Sequence, residues 1–188
     1  MKIVVLAGSV AGTKTRTVAG YTATTLAESN PDHEVTLLDL AEFDVVHADG
    51  RNSLDYTGDT ATVVRAIMDA EVLIVASPVY QASMPGVLKN VLDLLPSDGL
   101  RDTVVSLIVT AGSVRHSLVP EMQFKPVFSY LRAHVVENSV FIEDKDIHRG
   151  EIIDDDVYLR IQRLIEDTLT LSEVHAEVRA RKDAEYGF

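Results

Sequence analysis

The stretch VLIVASPVYQASMPGVLKNVLDLL, residues 72–95, decides the fold of this chain. Its first five residues are all apolar, which is typical of a strand buried on both faces of a parallel sheet. The Ser77-Pro78 pair ends that strand, because proline cannot donate a hydrogen bond to a neighbouring strand. Residues 85–95 predict a helix with a proline in its first turn. A buried strand followed by a helix is the repeating unit of an α/β fold.

The same alternation continues on both sides of this stretch. Further strands are predicted at residues 2–7, 34–39, 103–109 and 135–142, and further helices at residues 15–28, 60–70, 119–133 and from 154 onward. Residues 41–58 fit neither period and predict an irregular excursion. Five strands alternating with five helices predict a doubly wound, five-stranded parallel sheet with helices on both faces. No linker or repeat interrupts the pattern, so we expect a single domain over residues 1–188.

The composition excludes several classes of function. The chain contains no cysteine, so redox chemistry must use a bound organic cofactor rather than a disulfide, an iron–sulfur cluster or a thiol. With 17 Lys and Arg against 29 Asp and Glu, the net charge is −12, and no basic cluster predicts a nucleic-acid partner. The histidines lie at no metal-ligand spacing, so we expect no metal site. No apolar run approaches the roughly 18–20 residues of a membrane span, so we expect a soluble, cytoplasmic protein.

The candidate binding site is predicted from the position of three loops. Ligands of open α/β sheets bind beyond the carboxyl ends of the strands, beside the point where the strand order reverses. For the doubly wound order 2-1-3-4-5, that rule selects the loops after strands one, three and four. All three loops have an unusual composition in this sequence.

The first loop, residues 8–15, has the composition of a phosphate-binding turn. Its candidate binding residues are Ser9, Thr13, Lys14 and Thr15. Hydroxyls can donate to phosphate oxygens, lysine supplies charge, and the free N–H groups at the start of the next helix favour an anion. The loop lacks both the Walker and the G-x-G-x-x-G patterns. An ordinary turn with a helix cap remains the alternative interpretation.

The second loop begins with Pro78, Val79 and Tyr80, directly after the most hydrophobic strand. Rigid backbone at that position can donate and accept hydrogen bonds at the polar edge of a flat heterocycle. The alternative is structural, with Tyr80 a half-buried packing residue and Pro85 a helix start. The residues alone favour neither interpretation.

The third loop, residues 110–116, again places small residues after a buried strand. Its candidate binding residues are Thr110, Ala111, Gly112 and Ser113. Gly112 would let a planar ring pack against the main chain. His116 is the histidine expected at this end of the sheet, where either proton transfer or a structural role is open to it.

Three segments of the sequence resemble a known family. ASPVYQASMPGVLKNVLDLLP at residues 76–96 resembles the flavin loop and following helix of the NADPH-dependent FMN reductases, which have a flavodoxin-like three-layer fold. TAGSVRH at 110–116 and FKPVFSYLRAH at 124–134 are similar to the reductase components of two-component alkanesulfonate monooxygenases. The resemblance covers about residues 1–142. It implies an enzyme that transfers hydride from NADPH or NADH to FMN. The reduced FMN would then be supplied to a separate flavin-dependent monooxygenase.

The resemblance also implies roles for the loop residues. Ser9, Thr13 and Thr15 match the phosphate binders, residues 78–80 match those that border the isoalloxazine ring, and residues 110–113 match the segment on its other side. The first loop departs from the family pattern, because Val10 and Ala11 replace its common arginine and the loop is one residue shorter. Lys14 or Arg16 would then supply the charge. Met122 also stands where some alkanesulfonate-type reductases carry an inserted tyrosine.

Two other functions remain open at this point. One is an enzyme with tightly bound FMN that reduces quinones, azo dyes or metal oxyanions. The other is a flavodoxin-type electron carrier without nicotinamide chemistry, although such carriers generally lack the Ser-Pro-Val-Tyr loop.

The helix predicted at residues 85–95 bears on assembly. It carries more apolar residues than one sheet face needs, which indicates either a subunit interface or a fully buried helix. The resemblance implies that this helix packs against the same helix of a second subunit. We therefore expect a homodimer or a homotetramer formed through residues 85–95.

Overall fold

The computed structural model describes residues 1–186. Its main feature is a six-stranded parallel sheet with the order β2-β1-β3-β4-β5, in which β6 also pairs with β4. The strands are β1 Lys2–Ala7, β2 Glu34–Asp39, β3 Val72–Pro78, β4 Val104–Ala111, β5 His134–Val135 and β6 Val140–Glu143, and a separate hairpin pairs β7 Ile147–His148 with β8 Glu151–Ile152. The order 2-1-3-4-5 is the flavodoxin-like one, as predicted.

Five helices cover the sheet. They are α1 Lys14–Ser29, α2 Gly58–Met68, α3 Gly86–Asp93, α4 Lys125–Tyr130 and α5 Asp155–Tyr186. Within the described residues, no helix combines the length and the apolar character that crossing a bilayer would require.

Alternation along the strands divides the core into two layers. In β1, Val4 and Leu6 belong to one hydrophobic cluster, whereas Ile3 and Val5 belong to the other. The first cluster packs under α2, α3 and α4, and the second packs under α1 and α5. Because successive side chains of a strand point to opposite faces, one apolar strand fills both layers and gives a three-layer sandwich.

The predicted fifth strand, residues 135–142, is wrong as a continuous element. β5 pairs with Val104 and Val105, the Val136 N–H still donates to the Val105 carbonyl at 2.9 Å, and residues 137–139 leave the ladder before β6 pairs with the end of β4. In that gap the Glu137 carbonyl accepts from Lys125, and the Ser139 hydroxyl donates to Glu121. Contacts with the neighbouring helical segment therefore replace the sheet hydrogen bonds at this point.

The predicted helix over residues 119–133 is also interrupted. A π-helical turn, Pro120–Phe124, precedes α4, and the Lys125 N–H donates to the carbonyl of Pro120 five residues earlier. Pro126 has no N–H to continue the regular ladder, so the helix widens before it. The other predicted helices agree with the structure to within about two residues at each end.

Candidate functional site

The loops after β1 and β3 meet where the strand order reverses. Ala7 and Ala76 pair at the ends of these strands, and the Gly8 N–H donates to the Ala76 carbonyl at 2.8 Å. The chain then leaves β1 for α1 on one face and β3 for α3 on the other. This divergence opens a crevice at the carboxyl edge of the sheet.

A cavity of about 360 Å³ occupies the crevice. It is lined by Ala11, Gly12, Thr13, Lys14, Thr15, Pro78, Val79, Tyr80, Thr110, Ala111, Gly112 and Asp144. All the predicted binding residues line it except Ser9 and Ser113, and His116 also lies outside the lining. Three loops far apart in the chain thus converge on one cavity.

The first-loop end of the cavity is the start of α1. Thr13 is the N-cap residue, and its side chain makes no capping hydrogen bond. The first N–H groups of a helix have no intrahelical partner and favour an anion. An uncapped helix start beside Lys14 and the Thr13 hydroxyl is therefore a donor set suited to phosphate.

The other two hydroxyls of this loop hold the loop together. The Ser9 hydroxyl is buried, donates to the Ala11 carbonyl at 2.6 Å and accepts from the Ala11 N–H at 3.2 Å. The buried Thr15 hydroxyl lies 3.0 Å from that of Thr110. The second of these contacts joins the first loop to the third and sets the width of the cavity.

Tyr80 closes one side of the cavity. It begins a tight turn in which Tyr80 and Ser83 exchange backbone hydrogen bonds, and Gln81 and Ala82 have φ values of 49° and 61°. The Tyr80 hydroxyl donates to the Ala11 carbonyl at 3.3 Å, so the ring spans from the second loop to the first. Tyr80 is 44% exposed, so part of its aromatic ring faces solvent at the opening of the cavity.

The third loop offers backbone rather than side chains. A Cβ built on Gly112 would meet only the Asp144 carboxylate, at 3.7 Å, so the main chain there is open to a planar ligand. The Ser113 hydroxyl accepts from the Arg115 N–H at 3.3 Å and caps the short turn Val114–His116. His116 is half-buried in that turn.

The charges near the cavity are paired. Lys14 Nζ lies 2.9 Å from Asp144 Oδ2. Arg16 Nε lies 2.7 Å from the buried Asp39 carboxylate, and the terminal nitrogen Nη2 of Arg16 contacts Glu42. Of the two cations expected to replace the family arginine, only Lys14 lines the cavity. Asp144 is absent from the predicted site. Its signal in the sequence is its position just after the last predicted strand, which ends at residue 142.

These features fit a flavin phosphate. One end of the cavity presents helix N–H groups, a hydroxyl and a lysine, and the other presents the backbone of Pro78, Val79 and Gly112. No group of three or more His, Asp or Glu within residues 1–186 is arranged to hold a metal ion. Fold and cavity together define the class as a flavodoxin-like nucleotide-binding protein.

Comparison with known proteins identifies the family. Residues 1–147 match the family described as NADPH-dependent FMN reductase. A relative from Geobacillus thermodenitrificans, named NAD(P)H-dependent FAD/FMN reductase, is 32% identical over 87% of this chain and 89% of its own. An NADH-dependent FMN reductase, SfnF, from Pseudomonas fluorescens is 38% identical over 60% of each chain. The chain belongs to the NADPH-dependent FMN reductase family.

Solved structures agree with this assignment. The apo form of an NADH:FMN oxidoreductase named EMOB superposes with a TM-score of 0.76 at 27% identity, covering 90% of this chain and 89% of that one. A flavodoxin from Streptococcus pneumoniae, at 16% identity and a TM-score of 0.58, shares the fold. The predicted family, flavodoxin-like fold and enzyme class are confirmed: the protein is a flavin oxidoreductase that uses FMN and NAD(P)H.

Proposed function

We propose that this enzyme binds FMN in the cavity at the ends of β1, β3 and β4 and reduces it as an exchangeable substrate. The observation that carries the proposal is the convergence of three loops on one cavity with an uncapped helix start at one end. The phosphate would lie at Thr13, Lys14 and the first N–H groups of α1. The ring would lie between residues 78–80 and residues 110–112.

The protein's part in the reaction is alignment and exclusion of water. The nicotinamide and the flavin themselves supply the hydride chemistry. Pro78 and Val79 hold the ring edge on a rigid strand end, because the Val79 N–H donates to the Thr110 carbonyl at 3.0 Å. The Thr15–Thr110 contact keeps the opposite wall in register. Fixing two flat rings face to face is the main acceleration that such a site provides.

Proton transfer by a side chain has no part in this proposal. The titratable side chains in the cavity lining are Lys14, Tyr80 and Asp144. Two of them form an ion pair, and the tyrosine hydroxyl donates to a backbone carbonyl. His116 lies outside the lining, so we assign it no acid–base role.

The destination of the reduced flavin is a further part of the proposal. We infer that the product leaves the cavity and serves a separate flavin-dependent monooxygenase. Support comes from the similarity of residues 110–116 and 124–134 to reductase components of such systems. The pairing of the nearby cations with acidic groups also favours a flavin held loosely enough to be released.

A second candidate retains its flavin and passes electrons to an azo compound. An FMN-dependent NADPH-azoreductase from Staphylococcus saprophyticus is 28% identical to this chain over 84% of both. The two candidates differ in how long FMN stays bound, which corresponds to only a few kcal/mol.

Steady-state oxidation of NADPH and NADH with FMN, FAD and riboflavin tests the proposal. We expect turnover that saturates with added FMN, and purified protein that loses its flavin on gel filtration. Protein that retains stoichiometric FMN and reduces an azo dye without added flavin would favour the second candidate. Absence of NAD(P)H oxidation with any flavin would overturn both.

A further inference from the structure

Lys14 and Asp144 form an ion pair within the proposed phosphate site. Their charged atoms are 2.9 Å apart, and their side chains are 39% and 48% exposed. Lys14 is the first residue of α1, and Asp144 directly follows β6, so the pair bridges two elements across the cavity. The only lysine in the cavity lining is therefore neutralised by a carboxylate that lines the same cavity.

Asp144 is held in place by the turn that carries it. In residues 143–146, the Glu143 N–H donates to the Asp146 carboxylate at 3.0 Å, and the Glu143 side chain accepts from the Asp146 N–H in return. Asp146 is buried, and Lys145 pairs with Glu143 at 2.8 Å. These contacts hold the backbone of the turn that carries Asp144, and the Asp144 side chain extends from that turn to Lys14.

The charge balance at this end of the cavity is unusual for a phosphate site. Arg16, the other nearby cation, is engaged by Asp39 and Glu42. Lys14 and Asp144 together contribute no net charge. A phosphate dianion at the start of α1 would meet the helix N–H groups and the lysine, but it would also lie near the Asp144 carboxylate, which has the same sign of charge.

We propose that Asp144 sets the affinity of the cavity for phosphate-bearing flavin. It holds Lys14 in position and opposes the phosphate, so that FMN binds weakly enough to exchange between turnovers. The inference rests on the proposed function, because it requires the FMN phosphate to lie at the start of α1. Asp144 is a positioning and affinity-setting residue here and takes no part in hydride transfer.

The test compares FMN with riboflavin, which lacks the phosphate. For Asp144→Asn we expect the dissociation constant of FMN to fall about tenfold at low salt, because one like charge is removed from a partly screened site. The constant for riboflavin should stay unchanged. Quenching of flavin fluorescence measures both constants without turnover. Asp156→Asn, which removes an acidic partner of Arg160 outside the cavity lining, is the matched control and should change neither constant.

A second pair of variants separates repulsion from loss of the lysine's orientation. Lys14→Met should weaken FMN binding, and adding Asp144→Asn to it should restore part of that affinity, because the carboxylate opposes phosphate with or without its partner. High salt should reduce the gain in each background. Asp144→Ser also removes the carboxylate and should lower the dissociation constant of FMN as Asp144→Asn does. It therefore serves as the test if the asparagine variant folds poorly.

The outcomes distinguish this inference from the proposed function. Tighter FMN binding with unchanged riboflavin binding supports it. Unchanged or weaker FMN binding in Asp144→Asn, with normal FMN reduction by the wild type, overturns this inference alone. A wild-type protein that binds FMN and riboflavin equally overturns both the role of Asp144 and the proposed phosphate site.

Discussion

Three hydroxyl side chains of the first loop have different roles in the structure, although the sequence presents them as one motif. Ser9 stabilises the loop through Ala11, Thr15 joins it to Thr110, and Thr13 alone leaves its hydroxyl without a capping partner. Burial explains the difference, because Ser9 and Thr15 are almost fully buried while Thr13 is exposed. Hydroxyls that are buried need partners within the protein.

The first residue-scale prediction concerns Thr13. Thr13→Ala should raise the dissociation constant of FMN about tenfold or more, because hydrogen bonds to charged groups contribute roughly 1.5–3 kcal/mol. Riboflavin binding should be unaffected. Fluorescence titration with both flavins measures the effect, and Thr24→Ala, at an exposed position further along α1, is the control. An equal loss of affinity for both flavins would place the phosphate elsewhere.

The second residue-scale prediction concerns Tyr80. Tyr80→Ala should weaken flavin binding or slow hydride transfer several-fold while the melting temperature changes little, because the side chain is 44% exposed. Tyr80→Phe removes only the 3.3 Å hydrogen bond to Ala11 and should keep most of the activity. Stopped-flow reduction and thermal melts of both variants provide the measurement. Normal binding and turnover in the alanine variant would show that the ring does not contact flavin.

At the scale of elements, α3 packs its apolar side chains into the core of its own chain. Leu88, Val91 and Leu92 are buried against the sheet in the chain's own core, so contacts within the chain already cover these side chains. This burial favours the fully buried helix over the subunit interface as the reason for its many apolar residues. A homodimer or homotetramer formed through residues 85–95 stays a prediction.

The C-terminal half of α5 is attached to the sheet edge by two histidines. His134 of β5 stacks on His175 of α5 with ring centroids 3.7 Å apart, and Arg179 lies 3.9 Å from Asp102 nearby. Burial lowers the pKa of His134 below its ordinary value of 6.5, and the charge of His175 lowers this pKa further. Asp102 acts in the opposite direction, and Arg179 adds to the lowering.

This arrangement predicts a pH dependence at the scale of α5. The folded state has the lower His134 pKa, so the unfolded state binds more protons, and stability is lost as the pH falls below about 6.5. Above that value the contribution is fully present. His175→Gln should flatten the change in melting temperature between neutral pH and mildly acidic pH, whereas the exposed His47→Gln should not. Identical pH profiles for wild type and His175→Gln would contradict this attachment.

At the scale of the whole molecule, a groove between α3 and α4 is the candidate contact surface. A cavity of about 470 Å³ there is lined mainly by apolar side chains, and Tyr130 at its edge is 72% exposed. We expect sedimentation to show a dimer or a tetramer and Tyr130→Glu to dissociate it, because the contact would bury an unpaired charge. Tyr130→Phe is the control. A monomeric wild type that binds FMN normally would remove assembly from the proposal.

The sequence by itself determined the fold class and most of the candidate site. Local patterns were sufficient for this: apolar runs of strand length, helix periods and prolines at element ends indicate where each element lies. The rule that ligands bind at the carboxyl ends of strands then selected the three loops. The breaks in the last strand and in the helix over residues 119–133 were not predicted, because they also depend on contacts between segments, such as that of Lys125 with the Glu137 carbonyl.

Only the tertiary structure decided which residues of those loops face the cavity. Asp144, just after β6, reaches Lys14 across 130 positions of the chain, and Thr110 reaches Thr15 across 95 positions. Such pairs depend on the register of strands that are distant in sequence, which no local period encodes. For the same reason the sequence could not show that Leu88, Val91 and Leu92 of α3 are buried within the chain's own core. Charge and burial at a site follow from which distant segments the fold brings together.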